Sequence, residues 1–361
     1  MHMIKPADRS YQFLAAQYVR RQAKQLAEQL DGVLAMEDSE FVHRARVASR
    51  RLRSALKVFS DCFDYKMAQR WRKQIRRITE GLSDARDKDV QIEFLCGVLS
   101  KVTDTTCFPG IARLMVQLEQ ERDQLQPTVA RATSRLAASG VLDEMQAATK
   151  AVLADMKGSD GKGADSKGLA PADYSEFSRQ QTRQHILRRL EEMLPFQDSL
   201  EHVEDQQRHH AMRIAAKRLR YTVEIAKPVY GQALDEIITA VKRVQALLGD
   251  VHDCDVWIEH LDGYATTERR RAVALFGHAG RYARLESGIN YLRQERRSHR
   301  QQVFEELVDY WQELRRQGFW DNLVRLVQSP AVGPPQPLRR EDSNGSAPQP
   351  VALRKAEAVG R

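Results

Sequence analysis

Aromatic residues make up 7% of the 361-residue chain, and none stands in the basic segments 43–53 and 210–220. That argues against a stacking platform for nucleic-acid bases, which needs aromatic faces along a cationic track. Four cysteines, Cys62, Cys96, Cys107 and Cys254, lie far apart with no C-x-x-C pair. A disulfide framework and a structural zinc site are both excluded by that spacing, and a reducing compartment is expected. No run of about 18 apolar residues occurs, and the N-terminal "MHMIKPADRS" lacks a signal-peptide core, so no membrane partner and a cytoplasmic protein are expected. Strand-like alternation is almost missing, and several of the 12 prolines sit in the last 34 residues.

What the chain does have is helical periodicity. Apolar residues recur at i, i+3, i+4 and i+7 over long windows, which predicts an all-α protein. Helices are expected over about 9–31, 38–60, 66–82, 85–101, 110–125 and 127–157, then 174–194, 200–227, 233–249, 252–267, 269–293 and 295–327. The Gly-, Ser- and Asp-rich stretch 157–173 reads as a flexible linker, and the Pro-rich polar segment 328–361 as a disordered tail. The folded part thereby divides into halves, 9–156 and 174–327.

The halves resemble each other. "HRARVASRRLR" (43–53) aligns without a gap with "HAMRIAAKRLR" (210–220) at an offset of 167, and "LSDARDKDV" (82–90) with "LGDVHDCDV" (248–256) at 166. Two matched blocks in the same order imply a tandem duplication, each unit a helical bundle.

On a helical wheel His43, Arg46, Arg50, Arg53 and Lys57 share an arc of about 80°, opposite Val42, Ala45, Ala48, Leu52, Ala55, Leu56 and Phe59. From His43 to Arg53 this one-sign stripe runs about 15 Å along the axis. Arg44 and Arg51 flank it. The second copy presents His210, Arg213, Lys217 and Arg220, flanked by Arg218, but has Glu224 where the first has Lys57. A solvated face is the plain alternative. Against it stand the repulsion between like charges at i,i+4, the preference for Arg, whose fork suits phosphate oxygens, and the repetition itself. The stripes are expected to face an anion, in keeping with a net charge of +8. Arg76, Arg77, Lys242 and Arg243, on the following helix of each unit, could extend the basic surface or lie simply exposed.

Two compatible readings apply to the Asp-rich blocks. Ser83, Asp84 and Asp250 stand where helices are expected to begin, which suits N-capping. Alternatively Asp87, Asp89, Asp253 and Asp255 bond to guanidinium groups of the stripes and hold them in place.

H-x-x-R-V/I-x-x-K/R-R-L-R, twice, each followed by a G/S-D-x-x-D-x-D-V block, resembles the CHAD domain (conserved histidine α-helical domain) over about residues 10–327. The resemblance implies two pseudo-symmetric four-helix bundles whose basic helices line a groove or pore for inorganic polyphosphate. It makes His43, Arg46, Arg50, Arg51, Arg53, Lys57, His210, Arg213, Lys217, Arg218 and Arg220 candidate ligands, with Arg76, Arg77, Lys242 and Arg243 behind them. It also implies granule-associated proteins as partners, localisation at polyphosphate granules, and sulfate or phosphate as stand-ins for the polymer. No catalytic residue, metal ligand or cofactor is implied. The E-x-E-x-K strand of a CYTH triphosphatase is missing, "EQERD" (119–123) lacking the Lys, so a stand-alone domain is expected. Two other function classes compete with this one. A nucleic-acid binder fits the charge but shows no recognised reading motif. A metal-dependent phosphohydrolase is suggested by His43, His209, His210 and "HDCD" (252–255), yet Arg86 replaces His252 in the other repeat and the His lie among arginines.

Overall fold

Aspartates and a serine start five of the helices. Asp8, Asp38, Asp64, Ser175 and Asp205 each accept hydrogen bonds from backbone N–H groups of the first turn that follows, groups a helix leaves unpaired. The structure, a computed structural model, describes residues 8–159 and 169–329, and its fold is all-α. The central part of the expected linker and nearly all of the expected tail lie outside the described residues.

In the first half the helices are α1 (Arg9–Ala27), α2 (Leu30–Ala35), α3 (Ser39–Val58), α4 (Tyr65–Gly81), α5 (Ser83–Leu99), α6 (Phe108–Ala138) and α7 (Val141–Ser159). In the second they are α8 (Glu176–Met193), α9 (Gln206–Tyr230), α10 (Asp235–Phe276), α11 (Ala283–Arg316) and α12 (Phe319–Gln328). Helix α3 carries the first basic stripe and α9 the second.

Four expected breaks, at 126, 250–251, 268 and 294, are missing, and the two that coincide with strong local breakers fail for the same physical reason. Pro127 sits inside α6, and the "LGD" at 248–250 sits inside the 42-residue α10. Each helix bridges two cores. Leu118 and Val129 of α6 are both fully buried, in different cores, and so are Val251 and Leu261 of α10. Burying such side chains contributes about 1.5–3 kcal/mol each, enough across several positions to override an interior Pro costing about 3 kcal/mol. The chain breaks instead at Gly140, Gly277 and Gly318, all at positive φ.

Three apolar cores result. The first gathers α1, α3, α4 and α7 with part of α6, and takes in Ile225 and Val229 of α9. The second lies among α8, α9, α10, α11 and α12. The third is shared: Leu95, Ile111 and Leu114 from before the linker pack with Trp257, Leu261, Ile289 and Leu292 from after it. Here α6 and α11 touch backbone to backbone. A Cβ on Gly110 would stand 2.2 Å from the Leu285 carbonyl oxygen, and one on Gly288 2.2 Å from that of Cys107, so only glycine permits this crossing. The shared core and the α3–α9 packing hold the two repeated helices in register.

Candidate anion-binding groove

α3 and α9 pack against each other, and their polar faces open on one groove of about 400 Å³. Arg50, Arg53 and Lys57 line it from α3, and Lys217 and Arg218 from α9. Arg189 of α8 adds a cation that the duplicated motif could not reveal, since it lies outside both matched blocks. Val58, Ile214 and Tyr221 form its apolar walls, with Tyr221 buried and the Arg220 guanidinium 5.2 Å from its ring centre.

On the two repeated helices Arg46, Arg51, Arg218 and Arg220 pair with carboxylates among the described residues, whereas Arg50, Arg53, Lys57, Arg213 and Lys217 do not. Glu224, standing where the first copy has Lys57, lies 3.5 Å from Arg51 and 3.2 Å from Arg220. It therefore ties α3 to α9 and is shared by two of the candidate ligands at one end of the track, offsetting one of their two charges. The Nε atoms of Arg46 and Arg213 are buried without a hydrogen-bond acceptor.

The crowding disfavours the charged forms of the groups within it. Burial, then the neighbouring Arg213, Arg50, Arg46 and Arg218, push the Lys217 ammonium down to about 8. Burial also lowers Lys57, with Arg189 and Arg218 as the next causes. His43 is lowered by burial and by Arg86, the residue that replaces His252 in the repeat. His210 and His252 form a pair, Nδ1 to Nδ1 at 3.1 Å, one ring donating to the other. Burial and then Arg213 bring His252 to about 4, so both rings are neutral near pH 7. Beyond this pair a second hollow of about 520 Å³ is lined by Glu204, Asp205, Asp255 and Glu259, and the positive track stops there. His209, by contrast, is buried with Nε2 2.8 Å from the Ser199 carbonyl and belongs to the core.

The aspartates divide. Asp87 meets Arg46 at 3.1 Å, as the positioning reading expects, and its repeat partner Asp253 faces Arg213 at longer range. Asp89 and Asp255 require a correction, because neither bonds to a stripe. Asp89 pairs with Arg122 of α6 at 2.6 Å, and Asp255 with Arg300 of α11. The capping reading is overturned for Ser83 and Asp250, while Asp84 does stand in the first turn of α5. Ser83 donates to the Thr79 carbonyl, α5 starts without a side-chain cap, and Asp250 lies mid-helix. Replacing Arg300 by Ala leaves the Asp255 carboxylate buried and unpaired, with an expected loss of about 3 kcal/mol in urea unfolding. An R300A/D255A double variant is expected to recover part of that loss.

Arg76 and Arg77 are exposed on α4, Arg76 pairing with Glu80 at 2.7 Å. Lys242 and Arg243 are exposed on α10, Arg243 pairing with Glu306 at 2.9 Å. None of the four lines the groove. Among the described residues no group of three or more His, Cys, Asp or Glu could hold a metal ion, and no helix is long and apolar enough to cross a membrane.

The family model of the CHAD domain matches residues 17–262, two thirds of the chain. The chain belongs to the CHAD-domain family. The crystal structure of the CHAD domain from the plant Ricinus communis is similar to it with a TM-score of 0.56 at 18% identity, covering 86% of this chain and 94% of that one. PptA from Streptomyces chartreusis is a looser likeness, with a TM-score of 0.44 at 16% identity over 81% of this chain and 98% of that one. No curated protein matches. The CHAD match spans both copies of the duplicated motif and therefore both walls of the groove.

Proposed function

We propose that this CHAD protein binds inorganic polyphosphate, without catalysis, along the groove between α3 and α9. One observation carries the reading: the two duplicated stripes meet in a common trough lined by Arg50, Arg53, Lys57 and Lys217, none of which has a carboxylate partner among the described residues. Uncompensated like charges in one place repel, and a linear anion with about one charge per phosphate relieves that repulsion along its whole length. Arg50, Arg53, Lys57, Arg213 and Lys217 take the principal contacts. Arg46 and Arg218 contribute while held by Asp87 and Glu192. His43 and His210 add hydrogen bonds to phosphate oxygens. The two halves, 9–156 and 174–327, are in this reading pseudo-symmetric bundles left by duplication, and polymer binding places the protein at polyphosphate granules in the cytoplasm.

Discrimination from nucleic acid follows from the walls. Tyr221 is the one aromatic among the described lining residues, and its burial leaves no ring face for a base. Base stacking is worth about 1–3 kcal/mol per base where such a face exists. In a competition titration at fixed salt, long polyphosphate is expected to displace single-stranded RNA with at least about tenfold advantage, the equivalent of one missing stacking contact. Equal affinity for the two polymers contradicts the proposal.

A further inference from the structure

Lys217 differs from the other cations of the groove in what surrounds it. It is half-buried at the groove wall, and Arg213, Arg50, Arg46 and Arg218 crowd it from α9 and α3. The carboxylates on the adjoining helices are engaged elsewhere: Asp87 of α5 with Arg46, Asp253 of α10 with Arg213, and Glu192 of α8 with Arg189 at 2.5 Å. His252 of α10 also faces this cluster and is itself neutral near pH 7. Nothing nearby favours an ammonium. A buried amine in a cationic pocket spends much of its time neutral, and a neutral amine is a nucleophile. The guanidiniums around it are, in turn, suited to hold a phosphate group.

We propose that Lys217 is a modification site, acylated at Nζ by small acyl phosphates whose phosphate end is held by Arg50 and Arg213. The idea rests on the reading of the groove as a phosphate site and goes beyond it. The amine lone pair attacks the carbonyl carbon and forms the C–N bond. The bond from that carbon to the bridging oxygen then breaks, and its electron pair leaves with the phosphate. The proton lost by the nitrogen goes to the departing group, which leaves as hydrogen phosphate. No oxidant or reductant is needed. A bound phosphate dianion does not restore the ammonium fully, because four guanidiniums face it and Asp87 neutralises one of them. The product amide carries no charge, so acylation removes a cation from the middle of the track. Polyphosphate and the modification therefore oppose each other.

The test uses the full chain and acetyl phosphate, with acetylation at each lysine quantified by mass spectrometry over a pH series. Lowering an amine from 10.5 to about 8 raises its neutral fraction near pH 7.5 by about 240-fold, partly offset by weaker intrinsic nucleophilicity. Lys217 is expected to react at least about tenfold faster than the exposed Lys73 and Lys101, with a rate midpoint near pH 8. Excess triphosphate is expected to protect Lys217 alone, and Arg213→Gln to move its midpoint upward. The acetylated protein is expected to bind polyphosphate more weakly by about tenfold, the value of one charged contact. If Lys217 reacts no faster than Lys73 and Lys101 while the protein still binds polyphosphate, the modification is overturned and the groove reading stands. If the unmodified protein does not bind polyphosphate, the groove reading fails and takes this inference with it.

Discussion

Reversing the charge of Arg50, Arg213 and Lys217 together, each to Glu, is expected to weaken binding of long polyphosphate by at least about 1,000-fold in moderate salt. Hydrogen bonds to charged groups contribute about 1.5–3 kcal/mol each, and three at the low end exceed the roughly 4 kcal/mol that a thousandfold change requires. These three residues are chosen because none makes a close ion pair among the described residues, Arg213 having only the longer-range neighbour Asp253. Arg46 is left alone, since a Glu there would face Asp87. The variant should keep its helical circular dichroism and its cooperative unfolding. Removing three phosphate contacts should also flatten the plot of log affinity against log salt by about 2, at about 0.7 per contact for a flexible single-stranded polyanion. Reversing Arg76 and Arg243 provides the control. Both are exposed, ion-paired and outside the groove, and long-range attraction through salt is screened within about 10 Å, so little change is expected.

Raising the pH through 8 is expected to loosen polyphosphate progressively. Lys217 is free to lose its proton near 8 in the unliganded protein, whereas a bound polyanion favours its charged form and raises that value. Binding in this range therefore takes up a proton. Affinity is full below about 8 and falls by up to about tenfold per pH unit until the bound-state value is passed. Lys217→Arg should abolish this step, because Arg stays charged throughout. His43, His210 and His252 act in a separate window. All three are held below the ordinary imidazole range, first by burial and then by neighbouring cations, so a polyanion drives proton uptake as pH falls from about 6.5 toward about 4. Affinity should rise again there. Isothermal titrations in buffers of different ionisation enthalpy count the protons directly, and a flat profile from pH 5 to 10 would exclude the cluster from the binding site. The same crowding acts on the unliganded fold. Between about 8 and 10.5 the unfolded chain holds more of the Lys217 proton than the folded one, so stability should increase with pH in that window.

Helix content and the two basic stripes were legible because both depend on local periodicity. His43 to Lys57 recur on one face, and Val42, Leu52 and Leu56 on the other are buried at 3%, 0% and 1%. Helix ends were harder to read. Pro127 and the Gly249–Asp250 step are strong local breakers, yet α6 and α10 continue through them because each helix spans two cores, a tertiary fact absent from any short window. The aspartates show the same limit. Periodicity puts Asp87 and Asp89 on one helix, but two residues apart they point about 200° from each other, one toward Arg46 and one toward Arg122. The partners Arg122 and Arg300 lie in segments with no visible repeat, so sequence alone could not supply them. Arg189, Arg86 and His252 were missed as neighbours of the stripe for related reasons. The first belongs to no matched block, and the other two form an Arg–His mismatch in an otherwise repeated pattern.

The most direct measurement is a crystal structure of the protein with a short linear polyphosphate. Phosphates should be found in a file between α3 and α9, with oxygens against Arg50, Arg213 and Lys217. Phosphates bound instead on the outer faces, at Arg76 or Arg243, with the trough left to water, would contradict the assignment.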